Sequence, residues 1–237
     1  MMLAKSNSKP SYPRVLVVDD DDAIMRAVAR VLDSDESIQI IGQTTHAQAA
    51  LAMVESTKPD VVLMDIHMHG LDPFLACKQI TKVSVGQAKV LFYTGFPKDN
   101  YLDRCLEVGA AGIVSKHSES LRNLAFAIRH VAAGNTYFSP ELDKRLVQRK
   151  DGVATSRLAT LSDREVSVLR ELSLGRTQSE IADALDISER TVNKTVGDLK
   201  SKLEVQTINE MLIFAVNEGL VHPELQFLQR RDINSDA

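Results

Sequence analysis

The sequence predicts an α/β domain built on a five-stranded parallel sheet, doubly wound with helices on both faces, followed by an all-α domain of four helices. Three observations carry this. From Arg14 to about Ala133, short apolar runs alternate with stretches of helical spacing, and beyond Leu161 the pattern changes to helices alone. At 237 residues and 44% hydrophobic content, the chain is long enough to bury two small cores.

In chain order, the opening MMLAKSNSKPSYP (1–13) has no apolar signal core and is expected to be disordered. The runs VLVV (15–18), IQIIG (38–42), VVLM (61–64), KVLFY (89–93) and GIVS (112–115) read as strands. The intervening stretches 22–33, 45–56, 72–82, 97–108 and 118–133 have helical spacing, as in Ala47, Ala50, Leu51 and Val54. Strand-helix alternation favours parallel strands, and their near-continuous apolar content fits burial on both faces. We therefore take 14–133 as the first domain. Residues 134–160 mix turn formers with charges around one helical piece opened by Ser139-Pro140, and read as a linker.

From 161 to 221, three segments open with Ser/Thr-x-x-Glu capping boxes: Ser162 to Glu165, Thr177 to Glu180, and Thr207 to Glu210. A further helix begins near Ser188, Gly175 fits a helix stop, and LDIS (185–188) is a tight turn. Residues 222–237 are expected to be a frayed tail.

The net charge of −4 provides no global attraction to polyphosphate, so any nucleic-acid contact must be a local patch. Cys77 and Cys105 lack metal-ligand spacing and read as reduced packing residues, and nowhere do 18 apolar residues run together. A cytoplasmic protein without a membrane partner is expected.

On a parallel sheet, ligands gather at the carboxyl ends of the strands. Asp19 and Asp20 follow the first run, Asp65 ends the third, Thr94 ends the fourth and Lys116 follows the fifth. Clustered carboxylates repel one another and call for a hard divalent cation, for which Mg²⁺ is suited. A carboxylate nucleophile at Asp65, with Mg²⁺ and a lysine ammonium neutralising the transferring group, is the chemistry of phosphoryl transfer. Lys116 is expected to need its charge only when phosphate arrives. Asp21 and Asp22 read as helix N-caps. His67 and His69 form an HxH pair that lacks a third ligand for a transition metal.

These segments, VLVVDD (15–20), VVLMD (61–65), KVLFYTG (89–95) and AGIVSK (111–116), resemble the receiver domains of two-component response regulators over roughly 14–133. The resemblance implies a flavodoxin-like fold. It also implies Asp19, Asp20, Asp65 and the His67 main-chain carbonyl as Mg²⁺ ligands, Asp65 as phosphoacceptor, Thr94 as switch hydroxyl and Lys116 as phosphate partner. The sequence departs from the receiver pattern at His69, where Pro is usual, at Pro73, near which Gly is usual, and at Ile113, where an aromatic residue is usual.

In 188–203, Val192, Val196, Leu199 and Leu203 make one apolar stripe, and 100° per residue puts Arg190, Lys194, Gly197 and Ser201 opposite it. Preceded by a short helix and a tight turn, this is the arrangement that lays a second helix in the DNA major groove. The run 161–205, continuing to GLV (219–221), resembles the LuxR-type helix-turn-helix of the NarL/FixJ class. That resemblance implies DNA contacts at Asn193, Lys194 and Gly197, with Lys200 and Lys202 on phosphates, and a last helix (207–219) that also dimerises. Here Asn193 stands where Lys is usual, Thr195 where His is usual, and Gly197 where a polar or basic side chain is common. Residues 155–221 hold 8 Lys/Arg against 11 Asp/Glu, so non-specific DNA affinity should be weak.

The function expected is a transcriptional regulator that takes phosphate from a sensor histidine kinase, binds double-stranded DNA and forms a homodimer when phosphorylated. Its own enzymatic chemistry would be at most self-phosphorylation and self-dephosphorylation. Two rivals stand beside it. A haloacid-dehalogenase-type phosphatase would use the DxD at a strand end, but Ala23 stands where that family wants Thr or Val, and Asp65 would have no role. A phospho-regulated protein-interaction module would have a recognition helix that no longer reads DNA.

Overall fold

The computed structural model describes residues 12–33, 37–117, 120–148 and 154–220. Most of the expected N-terminal disorder (1–11) and all of the expected tail (222–237) lie outside the described residues. The chain forms two compact units, one of 1–97 with 104–144, the other of 98–103 with 145–237.

The first unit carries β1 (Arg14–Val18), α1 (Asp22–Asp33), β2 (Gln39–Thr44), α2 (Ala47–Thr57), β3 (Val61–Met64), α3 (Pro73–Val83) and β4 (Lys89–Thr94). Then come α4 (Asp99–Val108), of which 104–108 belong to this unit, β5 (Gly112–Ser115), α5 (Leu121–Ala132), β6 (Tyr137–Phe138) and α6 (Pro140–Asp143). All pairings in the sheet are parallel, in the order β2-β1-β3-β4-β5-β6. Side chains alternate between faces with period two. Val15, Val17, Leu63, Leu91, Tyr93 and Val114 join a core with Met25, Val28 and Leu32 of α1 and Leu124, Ile128 and Val131 of α5. The intervening Leu16, Val18, Met64, Phe92 and Ile113 are fully buried too, and the Phe92 ring lies 4.8 Å from that of Phe74 of α3, tilted at 46°. Cys77 and Cys105 are free thiols in the interior, and burial pushes Cys77 up to about 12.

Among the described residues the sheet has six strands, not the five expected. The sixth, β6, is only two residues long, so it offers no apolar run, and it lies in the stretch read as linker. What admits it is Gly112. At φ +147°, a Cβ on this residue would stand 1.7 Å from the Tyr137 carbonyl oxygen. Gly112→Ala should therefore break the β5–β6 pairing and cost a few kcal/mol, since both the clash and the backbone angle oppose it. The check is a lowered melting temperature with faster amide exchange at Tyr137 and Ser139, whose N–H groups donate to Ala111 and Ile113. Unchanged exchange there would show that β6 does not depend on the glycine.

The second unit carries a short antiparallel pair, β7 (Leu146–Gln148) with β8 (Ala154–Ser156), and then, among the described residues, only helices. These are α7 (Asp163–Ser173), α8 (Gln178–Leu185), α9 (Glu189–Leu203) and α10 (Ile208–Asn217), after one 3₁₀ turn at Leu158–Thr160. Reciprocal capping boxes open α7 and α8 as expected. At α10 the Thr207 hydroxyl accepts from Glu210 N–H, but the Glu210 carboxylate reaches back to Gln206 N–H instead. The four helices close on Val168, Leu169, Leu172, Ile181, Val192, Val196, Leu199, Leu203, Met211 and Ala215.

Candidate phosphoacceptor site and reading helix

Parallel β1, β3, β4 and β5 all end on one side, and the chemistry lies there. Asp19 and Asp65 sit just past β1 and β3. Their N–H groups continue the ladder to the Thr44 and Val18 carbonyls, which fixes both backbones. Asp19 is 3% exposed and Asp65 6%, while Asp20 reaches further into solvent. One carboxylate oxygen from each of Asp19, Asp20 and Asp65 lies within 4.8 Å of the others. Such an all-oxygen group of like charges, two of them buried, fits a hard divalent cation.

Lys116 bridges two members of the triad. Its Nζ lies 2.7 Å from Asp19 Oδ2 and 3.3 Å from Asp65 Oδ1, over the Tyr93 ring at 5.4 Å, and its N–H donates to the Thr94 carbonyl at 2.7 Å. The lysine is thus paired before any phosphate arrives, contrary to the expectation that its charge is needed only then. Two buried carboxylates without it would be left uncompensated. Burial pushes the Asp19 carboxyl above the usual range despite the Lys116 hydrogen bond, and the charge of Asp65 adds to the push. At Asp20, burial acts in the same direction, but hydrogen bonds from His69 outweigh it and hold the carboxyl below the usual range. His69 Nδ1 and N–H lie 2.9 and 3.2 Å from Asp20 Oδ2. So a residue that departs from the receiver pattern orients a carboxylate of the triad. Only the folded loop brings them together.

Asp21 Oδ1 accepts from Ala23 and Ile24 N–H and caps α1, as its spacing suggested. A cavity of about 570 Å³ opens over the triad, between α1 residues Ile24, Ala27 and Val28 and the loop residues His67, Gly95, Phe96 and His117. Ser139, a residue without a sequence signal for this role, accepts a hydrogen bond at 3.0 Å from Ser115 N–H and so fixes the strand end from which Lys116 projects.

In the second unit, α9 buries Val192, Thr195, Val196, Leu199 and Leu203. Thr195 turns its hydroxyl back to the Thr191 carbonyl at 2.9 Å. Arg190, Asn193, Lys194, Gly197 and Ser201 are exposed, Lys200 half-exposed, and a Cβ at Gly197 would meet no atom within 4 Å. Lys202 differs. Though the residue is exposed, its ammonium is bound by Glu165 at 2.7 Å and the Thr160 carbonyl at 3.1 Å.

The Glu165 carboxyl gains from this. Burial opposes its ionisation, but Lys202 and the Ser162 N–H and hydroxyl hold it below the usual 4.5. A depressed carboxyl contributes stability that is present above its unfolded value and lost as pH falls through the lower folded one. Glu165→Gln should therefore reduce the acid-side loss of stability below about pH 4.5 relative to the native protein. Parallel acid melts of the two would reveal an absent contribution.

Two family models match: the response regulator receiver domain over residues 15–129, and the bacterial regulatory proteins of the luxR family over 159–215. The response regulator protein VraR of Staphylococcus aureus is 31% identical over 208 residues, 88% of this chain and 98% of that protein. The chain belongs to the response-regulator family. Among solved structures, a two-component response regulator of the LuxR family from Aurantimonas sp. SI85-9A1 matches this response regulator with a TM-score of 0.53 at 26% identity, over 56% of this chain and 94% of that one. The response regulator RcsB in its DNA complex matches with a TM-score of 0.63 at 20% identity, over 87% of this chain and 99% of that one, a likeness of fold. With a receiver joined to a LuxR-type domain, this response regulator is a phosphorylation-controlled transcription regulator. No helix among the described residues is long and apolar enough to cross a membrane.

Proposed function

We propose that this response regulator accepts one phosphoryl group on Asp65 from the phosphoimidazole of a sensor histidine kinase, and that this alters DNA binding by α9. The observation that carries the reading is the carboxylate triad, in which Lys116 Nζ bridges Asp19 and Asp65. An Asp65 carboxylate oxygen attacks phosphorus, the P–N bond to the donor breaks, and the imidazole leaves. Lys116, already beside Asp65, is placed to meet the phosphoryl oxygens, and the Thr94 hydroxyl is the group that would turn towards them. Asp19, Asp20, Asp65 and the His67 main-chain carbonyl would hold Mg²⁺, which when bound neutralises charge on the transferring group. No substrate turnover beyond the protein's own phosphorylation and dephosphorylation is expected. A phosphatase reading would leave the Lys116–Asp65 pair without a purpose.

On DNA, Asn193 and Arg190 suit base edges and Arg190, Lys194 and Lys200 suit phosphates, while Ser201 lies on the same exposed face. Gly197 would let the backbone come close. Lys202, held by Glu165, is not needed. Binding as a homodimer in the cytoplasm fits a domain whose net charge gives weak non-specific affinity, and RcsB has been seen as dimers on DNA.

The test has two arms. The full chain with acetyl phosphate should gain one phosphoryl mass only when Mg²⁺ is present, on the peptide containing Asp65. Three phosphate contacts per protomer predict a log–log salt slope of roughly −2.7 per protomer for random DNA. No mass gain would overturn the acceptor reading. No DNA affinity at low salt in either phosphorylation state would leave the protein-interaction reading in its place.

A further inference from the structure

The Thr94 hydroxyl is fully buried and does not line the cavity over the triad, although its neighbours Tyr93, Gly95 and Phe96 do. It has other company. Thr94 Oγ1 lies 3.1 Å from His67 Nδ1 and accepts from Phe96 N–H at 3.4 Å. The His67 ring meets Phe96 edge-on, at 6.0 Å between centroids and 89° between planes, and Phe96 meets His117, next after Lys116, at 5.8 Å and 70°. Three rings therefore link the loop after Asp65, the loop after Thr94 and the residue after Lys116. Meanwhile position 113 holds a fully buried isoleucine, with no polar atom to report where Thr94 points.

We infer that His67 is a positioning residue that holds the Thr94 hydroxyl in its unswitched orientation, and that its release, felt through Phe96, couples phosphorylation of Asp65 to the loop 95–97. This rests on Asp65 being the acceptor. A hydroxyl has one proton and two lone pairs, and here His67 and Phe96 N–H engage it, whichever of Thr94 and His67 donates. Turning to a phosphoryl oxygen on Asp65 gives up both contacts. The new bond, to a charged acceptor, is about twice as strong as a neutral one, so the exchange proceeds, opposed by what is lost. The loss of Thr94 takes one partner from the His67 ring and removes the acceptor from Phe96 N–H, at a solvent-facing aromatic residue.

Removing the imidazole should favour the switched state. For full-length protein at saturating Mg²⁺, with beryllofluoride as phosphoryl mimic read by ¹⁹F NMR and calorimetry, His67→Ala should bind the mimic about fivefold more tightly than wild type, the value of one neutral hydrogen bond. The main-chain carbonyl at 67 is untouched by this change. His67→Asn, whose side-chain amide can occupy the place of Nδ1, should restore wild-type affinity. In a Thr94→Ala background, His67→Ala should have no effect, which a merely structural histidine would not predict. Equal or weaker binding by His67→Ala, or the same gain in the Thr94→Ala background, overturns the inference. Wild-type protein that takes up no mimic overturns the acceptor reading and this inference with it.

Discussion

Asp65→Asn is expected to abolish phosphoryl uptake from acetyl phosphate and from any kinase, a loss on the order of a thousandfold or more in rate. The amide keeps the shape and can still accept the Ile66 N–H now bound at 2.8 Å by Asp65 Oδ1, but it has no nucleophilic oxygen. The fold should not suffer. Asp65 raises the pKa of buried Asp19 by its charge, so removing that charge relieves repulsion, and Lys116 keeps its shorter contact at 2.7 Å to Asp19. The melting temperature without metal should hold or rise while the phosphoryl stoichiometry drops to zero. Intact-protein mass spectrometry decides, and a variant that still gains one phosphate of the same lability would place the acceptor elsewhere.

Val196→Asp should unfold the helical domain outright. Val196 is 7% exposed and packs with Val192, Leu199 and Leu203 of its own helix against α7, α8 and α10. A carboxylate there would sit among apolar side chains, and burying a charge in such surroundings costs several kcal/mol, as much as a domain of this size commands in total. The far-UV signal of the four helices should collapse at neutral pH. Lys194→Ala, on the exposed face, should keep that signal and lose DNA affinity. If Val196→Asp melted cooperatively at the wild-type temperature, the stripe would not be the core.

What could be read in the sequence followed from period and position. The five longer strands announced themselves as apolar runs, and three capping boxes marked helix starts that the structure keeps, with only Glu210 reaching one residue further back. Asp19, Asp65, Thr94 and Lys116 could be gathered in advance because parallel strands end on one side. Hidden were the contacts made by closure of the fold. Nothing in the spacing of Lys202 distinguishes a DNA-facing lysine from one bound to Glu165, and nothing in the HxH pair foretells that one imidazole meets Thr94 and the other Asp20. Two-residue β6 is below the length at which a period exists.

That short strand also bears on where the chain can be divided. A fragment ending at residue 133, where the repeating pattern stops, would keep every residue of the triad. It would nevertheless lose Ser139, leaving the Ser115 N–H without its acceptor in the interior and the edge of β5 open to solvent or to another chain. The isolated fragment should then be both a poorer phosphate acceptor and more prone to self-association than one carried on through Asp143. Recombination or proteolysis between the two points should separate Lys116 from the Ser139 hydroxyl that fixes its strand end.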